Sequence, residues 1–305
     1  MKTRYALNFF LSAIFVLSVF SMGHSNLRAV GTEQFIRVGL ESHFREQDQI
    51  SIYATNLAVG QFVGGVFHAS GFLTTTGHFL ARPDNSAYVQ LPYTFTSLTH
   101  AQDRAIAIHE NAIPVLLHNG HWGLYLPAGA DFPGAIALSP STARVSVSKA
   151  DGQIVLISEN GDVNLQVRDT TGITSLGTRR YRGAIELARF TGSRLTAVNV
   201  LALEEYLLSV VPAEMPPSWH MEALMAQAVA ARTFAVHRMG SMAGRGYDVC
   251  DTTMSQVYVG VSNEHPNTTQ AVNATQGIMI LHNNTPIEAV YSSSSGGFTE
   301  YSENA

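Results

Sequence analysis

Residues 203–239 read LEEYLLSVVPAEMPPSWHMEALMAQAVAARTFAVHRM, and they contain two helical patterns separated by a proline-rich turn. The spacing of apolar residues predicts a short helix over residues 203–210, which Pro212 ends, and a longer helix over residues 218–239. Ser218 is the expected N-cap of the longer helix, because its hydroxyl can accept a hydrogen bond from the first turn. The sequence therefore predicts two consecutive helices joined by a short turn.

The longer helix is rich in small residues, and its alanines are Ala223, Ala226, Ala228, Ala230, Ala231 and Ala235. Small side chains let neighbouring elements approach closely, so we expect this helix to be buried on most sides. Gln227 and Arg232 are polar residues on this nearly apolar helix, and a buried polar group without a partner is costly. Each of the two therefore either pairs within the core or positions a substrate.

Glu214 is a single carboxylate in the turn between the two helices. Three prolines, two valines, Met215 and Trp219 surround it in the sequence. Apolar surroundings disfavour the ionised form of a carboxyl group, and a protonated carboxyl group is what a general acid requires. The residues alone leave two interpretations open: a catalytic acid, or a solvent-exposed glutamate in a proline-rich turn.

The sequence upstream of the helices is rich in short strands. Apolar and polar positions alternate from residue 143 to about residue 200, and Asp-Gly at 151–152 and Asn-Gly at 160–161 are turn signals. A further strand is expected at residues 35–40. The chain therefore predicts an α+β fold, in which a mixed, strand-rich domain holds the buried Ala-rich helix beside the turn with Glu214.

Residues 35–130 are expected to form a small N-terminal α/β accessory region. Within it the sequence predicts a strand at residues 87–91, a helix at residues 97–111 and then a β-hairpin. The segment 128–140 is rich in Pro, Gly and Ala and is the expected linker. The main domain is expected to cover residues 140–305.

The first residues of the chain predict an exported protein. Lys2 and Arg4 precede an uncharged apolar segment over residues 6–22, which is typical of a signal peptide. An N-terminal membrane anchor is the alternative, since about 17 apolar residues are the lower limit for a span. Residues 1–23 are therefore expected to be a signal peptide or an anchor, which places the remaining chain in the cell envelope.

Charge and cysteine content exclude several classes of protein. The formal net charge is −5 and no stretch is strongly basic, whereas nucleic-acid binders neutralise phosphates with Lys and Arg. We therefore expect no nucleic-acid partner. The single cysteine, Cys250, cannot form an intramolecular disulfide and excludes a zinc site built from four thiolates.

Four blocks of sequence, in this order, resemble the SpoIID/LytB family. The first two are EYLLSVVPAEMP at residues 205–216 and ALMAQAVAARTFA at residues 223–235. The third is DTTMSQVY at residues 251–258, and the fourth is YSSSSGGFTEYSEN at residues 291–304. The motifs cover about residues 180–305, and the strand-rich sequence before them is expected to belong to the same domain.

The resemblance implies a bacterial lytic transglycosylase that cleaves the MurNAc–GlcNAc bond of peptidoglycan strands, preferring strands without stem peptides. The family's catalytic glutamate lies in a Pro-x-Glu-Met-Pro motif, which is Glu214 here. Glu214 would protonate the leaving oxygen and then act as a base toward the MurNAc 6-hydroxyl, which closes a 1,6-anhydro ring. Because the substrate supplies its own nucleophile, one carboxylate is sufficient.

Candidate substrate-binding residues come from the same blocks. Those expected to line the groove beside Glu214 are Gln227, Arg232, Gln256, Tyr258, Ser293, Ser294 and Glu300. A serine-rich tract beside Gly-Gly can otherwise be a strand end and a turn. No cofactor is expected.

Some family members hold a zinc ion with two cysteines and a histidine around the Asp-Thr-Thr segment. Here Cys250 is present, but Met254 and Ser255 stand where the histidine and the second cysteine are expected. A thioether and a hydroxyl are poor zinc ligands, so we predict no metal site. Cys250 is then expected to be a small buried side chain.

The resemblance also implies partners and an alternative function. Sporulation relatives act with a cell-wall amidase and other engulfment proteins, whereas LytB-type relatives look like enhancers that bind peptidoglycan and stimulate an N-acetylmuramoyl-L-alanine amidase. The strand–helix–hairpin order of the accessory region resembles a SPOR-like peptidoglycan-binding module. Family members continue past the Ser-Glu-Asn block at residues 302–304, so the resemblance also predicts a domain truncated at its C-terminus.

Overall fold

The computed structural model describes residues 25–29, 34–190 and 194–292. The expected leader, residues 1–23, lies outside the described residues. None of the helices in the described ranges combines the length and the apolar character that crossing a bilayer requires. The α-helices within these ranges are α1 (Glu41–Phe44), α2 (Leu98–Ile108), α3 (Leu203–Glu214), α4 (Met221–Arg238) and α5 (Pro266–Ala274).

The strands, in chain order, are β1 (Ser25–Ala29), β2 (Phe35–Gly39), β3 (Ile50–Tyr53), β4 (Asn56–Val63), β5 (Val66–Thr74), β6 (Phe79–Pro83), β7 (Tyr88–Gln90), β8 (Ile113–Leu116), β9 (Trp122–Pro127), β10 (Ile136–Leu138), β11 (Val145–Lys149), β12 (Ile154–Ser158), β13 (Leu165–Asp169), β14 (Ile173–Leu176), β15 (Arg179–Arg182), β16 (Ala184–Ala188), β17 (Thr196–Ala202), β18 (Val249–Cys250), β19 (Ile278–His282) and β20 (Thr285–Pro286).

These strands form three sheets in the described part of the chain. The largest has the order β10-β7-β9-β8-β12-β11-β6-β3-β14-β15, and the second has the order β18-β2-β17-β16-β13-β4-β5. A small sheet has the order β1-β19-β20. Most pairs are antiparallel, while β12 with β8 and β18 with β2 are parallel. Helices packed beside mixed sheets confirm the predicted α+β class.

The region expected to form a separate accessory unit, residues 35–130, shares its sheets with the rest of the chain. Strand β6 pairs with β11 and strand β4 pairs with β13, so both partners lie beyond the expected linker at residues 128–140. The prediction failed here because the alternation within one strand carries no information about which strand it pairs with. The predicted strand–helix–hairpin order is confirmed as β7, α2, β8 and β9.

The sequence predicted that α3 ends before Pro212, but the helix continues to Glu214. Proline lacks the N–H that would donate to the carbonyl of Leu208. Pro212 lies in the last turn of the helix, so the helix loses this one hydrogen bond and tolerates the proline. The Met215 N–H donates to the Val211 carbonyl at 3.0 Å and closes the last turn. Glu214 is therefore a helical residue and not part of the turn.

Helix α4 begins at Met221, three residues later than predicted, and Ser218 is not its N-cap. The N-cap is His220, whose side chain makes no capping hydrogen bond. The preceding residues form a β-turn in which the Trp219 N–H donates to the Pro216 carbonyl at 3.0 Å. Proline restricts the backbone within this turn, so the helix starts only after the turn is complete.

Helix α4 packs against α3, α5 and β19. Its buried side chains include the unbroken run Ala231–Ala235, which confirms the expected burial, although Ala226 is exposed. Within that run the largest side chain is Arg232, which is 1% exposed. The helix therefore places a charged side chain in the core, where it needs a counter-ion.

Glu204, in the first turn of α3, supplies that counter-ion. Arg232 donates from Nε to Oε1 of Glu204 at 2.8 Å and from Nη2 to Oε2 at 2.7 Å. Further donors reach the carbonyls of Ile278 in β19 at 3.1 Å and of Val272 in α5 at 3.3 Å. Glu204 Oε1 also accepts the Gly277 N–H at 3.1 Å. One guanidinium thus joins three helices and a strand.

The first prediction concerns this ion pair. Glu204→Gln keeps the shape of the side chain but leaves the Arg232 charge buried without a counter-ion. We expect the free energy of unfolding to fall by about 3 kcal/mol or more. Urea denaturation followed by circular dichroism measures the change.

The matched control is Glu205→Gln, the same substitution at the next residue. The Glu205 side chain makes no hydrogen bond within the described residues, so we expect a change within about 0.5 kcal/mol. Equal losses for both variants would show that the Arg232 pair does not hold these elements together.

Candidate active site

Glu214 is the last residue of α3, and its side chain is partly buried. Its Oε1 accepts the backbone N–H of Val257 at 3.1 Å. Within the described ranges Oε2 accepts no hydrogen bond. One carboxylate oxygen is therefore held by the protein, while the other is available to a ligand.

The Val257 N–H is held in place by a segment that lies along α3. We call residues 256–260 the docked segment. The Ser209 hydroxyl oxygen accepts two of its backbone N–H groups, from Val259 at 3.1 Å and from Gly260 at 3.0 Å. Ser209 lies on the same helix as Glu214, so the hydroxyl and the carboxylate bind the same segment at two points.

Gln256, the first residue of the docked segment, joins both site helices through its side chain. Its Oε1 accepts the hydroxyl of Tyr206 in α3 at 3.2 Å. Its Nε2 donates to the Ala231 carbonyl in α4 at 3.2 Å and to the Tyr291 hydroxyl oxygen at 2.8 Å. Every polar atom of the Gln256 amide is thus engaged within the protein.

Tyr291 lies close enough to Glu214 for the charge of the carboxylate to affect the pKa of the Tyr291 hydroxyl. Burial raises the pKa of Tyr291 above its ordinary value, the Gln256 hydrogen bond opposes that rise, and the negative charge of Glu214 adds to it. The phenol therefore stays protonated at neutral pH. A neutral hydroxyl beside a carboxylate can donate a hydrogen bond to a bound ligand.

Gln227 differs from its neighbours because its donor is unused. It lies in α4, one turn before Ala231, and is 8% exposed. Its Nε2 is buried and has no hydrogen-bond partner among the described residues. A buried unpaired amide destabilises a protein, and a ligand oxygen that accepts from it would remove that cost.

The structure places the other predicted groove residues in the core. Arg232 is 1%, Gln256 1% and Tyr258 4% exposed. The Tyr258 hydroxyl donates to the Asn199 side chain at 2.7 Å, and the other two are engaged as described above. Their polar groups are used by the protein, and for Arg232 this is the pairing within the core that the sequence left open. Ser293, Ser294 and Glu300 lie outside the described residues.

The composition of the turn after Glu214 suggested apolar surroundings for the carboxylate, but two of the apolar residues of this turn are exposed. Pro216 is exposed and Trp219 is 54% exposed. The reason is the late start of α4, since the β-turn that precedes this helix projects these residues toward solvent.

The site also contains residues that the sequence did not single out. Ser209 and Tyr206 were within the first family block, and Tyr291 opens the fourth. Their roles depend on partners that are distant in the chain: 50 residues separate Tyr206 from Gln256, and 35 separate Tyr291 from Gln256. Val257 acts through its backbone N–H, which any residue other than proline provides. No side-chain pattern could reveal it.

Cys250 is fully buried, as expected for a small core side chain. Its Sγ contacts the hydroxyl oxygens of Thr252 at 3.2 Å and Ser255 at 3.5 Å. Met254 is 60% exposed. In the described part of the chain, no group of three or more His, Cys, Asp or Glu side chains could hold a metal ion.

The fold and the site define an α+β protein with one carboxylate at a helix end, held by the backbone of a docked segment. A family model described as "SpoIID: Stage II sporulation protein" matches residues 191–282, which include both site helices and the docked segment. Residues 191–282 are thus a SpoIID domain, and it is this part of the chain that belongs to the SpoIID/LytB family.

Curated relatives also match part of the chain. "Amidase enhancer" of Bacillus subtilis (strain 168) is 48% identical over 96 residues, which are 32% of this chain and 13% of the relative. "Stage II sporulation protein D" of the same organism is 44% identical over 122 residues, 35% of this chain and 36% of the relative. An uncharacterized protein of Brachyspira hyodysenteriae is 37% identical over 125 residues, 41% of this chain and 34% of the relative. The chain therefore spans little more than a third of these relatives at most.

The second prediction concerns the docked segment. Ser209→Ala leaves the N–H groups of Val259 and Gly260 without their acceptor, which costs about 1–3 kcal/mol for each buried group. We expect faster amide hydrogen exchange in the peptide that covers residues 256–260. Mass spectrometry of the native protein measures that exchange.

Ser262→Ala is the control, because Ser262 is exposed and its hydroxyl makes no hydrogen bond within the described residues. This variant should leave exchange in the docked segment unchanged. Unchanged exchange in Ser209→Ala would contradict the docking arrangement.

Proposed function

We propose that this protein is a peptidoglycan lytic transglycosylase of the cell envelope, with Glu214 as its general acid and base. The substrate is the MurNAc–GlcNAc bond of glycan strands, and the products are strands with 1,6-anhydroMurNAc ends. The observation that carries the proposal is the Glu214 carboxylate, which has one oxygen held by the Val257 N–H and one free. The chain's place in a family with sporulation and amidase-enhancer relatives supports a role at the cell wall.

The reaction needs one group that first gives and then takes a proton. Protonated Glu214 donates its proton to the glycosidic oxygen as the bond from that oxygen to C1 of MurNAc breaks. The 6-hydroxyl oxygen of the same MurNAc then bonds to C1, and Glu214 accepts the hydroxyl proton. The carboxyl group ends as it began, and no water is consumed.

A single carboxylate suffices because the nucleophile belongs to the substrate. Glycosidases with an external water or a covalent intermediate need two carboxyl groups at defined separations. An intramolecular hydroxyl has a high effective concentration and needs only orientation. The Val257 N–H fixes the carboxylate, which supplies that orientation on the protein side.

Two hydrogen-bond donors fit a sugar substrate. The unpaired Nε2 of Gln227 would donate to a hydroxyl or acetamido oxygen of the glycan. The protonated hydroxyl of Tyr291 would donate beside Glu214. Ser293, Ser294 and Glu300, which follow Tyr291 in the sequence, remain proposed substrate contacts.

A second candidate function is that of an amidase enhancer. It is favoured by the relative named "Amidase enhancer", which is 48% identical over the matched part of the chain. In that case the site binds glycan without cleaving it, and a cell-wall amidase is the partner.

The proposal has two further parts, and both agree with either function. The β7-α2-β8-β9 unit binds peptidoglycan, and the N-terminal leader directs export.

The third prediction tests the acid. Glu214→Gln keeps the size of the side chain but cannot donate or accept the proton, so we expect the cleavage rate to fall at least about 100-fold. The assay digests glycan strands freed of stem peptides and quantifies 1,6-anhydroMurNAc ends by mass spectrometry.

Glu222→Gln is the matched control, because Glu222 lies eight residues along the chain and is exposed. It should cleave at the rate of the unchanged protein. Equal cleavage by Glu214→Gln would assign catalysis to another residue. The enhancer function would be favoured if the unchanged protein forms no anhydro ends, and if it and Glu214→Gln stimulate a cell-wall amidase equally.

A further inference from the structure

The chain has two tryptophans, and they lie in opposite environments. Trp122 is 2% exposed and belongs to the core, whereas Trp219 is 54% exposed. Within the described residues no aromatic ring packs against Trp219. A large aromatic side chain left open to water is costly, so an exposed tryptophan often marks a binding surface.

The backbone of Trp219 is also held in a defined position, five residues after Glu214. Its N–H closes the β-turn to Pro216, and the Pro217 carbonyl accepts a hydrogen bond from the Asn267 side chain at 3.0 Å. The ends of a β-turn lie within about 7 Å, and two residues span at most about 7 Å. The Cα atoms of Trp219 and Glu214 therefore lie within about 14 Å, a distance that a few linked sugar rings cover.

Other exposed apolar side chains lie on the segments that contact the site. Met254, 60% exposed, is three residues before Val257, whose N–H holds the Glu214 carboxylate. Val290, 62% exposed, immediately precedes Tyr291. Exposed apolar side chains thus lie close in sequence to Val257, whose N–H holds the carboxylate, and to Tyr291.

We infer that Trp219 is a sugar-binding platform, on which one pyranose ring of the glycan stacks while a neighbouring glycosidic bond reaches Glu214. The inference rests on the proposed glycan substrate and names the residue that holds it. The axial C–H groups of a pyranose form an apolar face that fits the negative face of an indole ring. The turn holds the backbone of Trp219 in advance, so binding orders little more than two side-chain torsions.

The experiment follows tryptophan emission while glycan binds. Glu214→Gln protein, which retains the substrate, is titrated with glycan strands freed of stem peptides. Because Trp122 is buried, a saturable blue shift in emission reports Trp219. In the same background, Trp219→Ala should show no shift, and its affinity by calorimetry should fall about tenfold, taking base–aromatic stacking as a guide.

Two further variants separate stacking from a change in fold. Trp219→Phe keeps an aromatic face and should retain part of the affinity. Ile106→Ala removes an apolar side chain that is 84% exposed on α2 and should bind as tightly as the background protein. Equal affinity for Trp219→Ala, or bound glycan without an emission shift, would overturn the inference. So would loss of amidase stimulation in Trp219→Ala with glycan affinity unchanged, since the ring would then contact a protein.

Cleavage by the otherwise unchanged protein distinguishes this inference from the proposed function. Trp219→Ala should raise KM about tenfold and leave kcat unchanged, whereas Glu214→Gln lowers kcat. If the protein binds glycan through Trp219 but forms no anhydro ends, the transglycosylase proposal is contradicted and the inference about Trp219 still holds.

Discussion

The ion pair between Arg232 and Glu204 is the interaction on which the site half of this fold depends. A guanidinium that is 1% exposed cannot be left without a counter-ion, so α3 and α4 must meet where these residues face each other. The same guanidinium binds carbonyls at the end of α5 and at the start of β19. Because Glu204 lies in the first turn of α3 and Glu214 ends that helix, fixing the helix also fixes the carboxylate.

Backbone groups, and not a cluster of side chains, complete the site. The N–H groups of Val257, Val259 and Gly260 bind to acceptors on α3. Each bond is modest in free energy, but breaking one leaves a partly or fully buried donor unpaired, which is costly. Two helices and the docked segment can thus hold a single carboxylate in a defined orientation while one of its oxygens stays open.

Local patterns predicted the elements well and their limits poorly. The Ala-rich helix, the strand–helix–hairpin order and the strand-rich middle of the chain follow from spacing that one segment carries by itself. The predicted end of α3 and the predicted start of α4 were wrong because tertiary context outweighed local rules. Pro212 is accommodated in the last turn of α3, and Ser218 lies within a β-turn and not at the start of α4. The expected linker failed for the related reason that strand partners are distant in sequence.

By itself the sequence determined the α+β class, the Ala-rich helix, the family blocks and Glu214 as the candidate acid, because each is written in contiguous residues. Only the tertiary structure decided which polar residues remain free. Arg232, Gln256 and Tyr258 are used within the core, whereas Gln227 keeps an unpaired donor. The partners that settle this lie 28 residues away for Arg232 and 50 for Gln256, and hydrogen bonding between such distant groups exists only once the chain has folded.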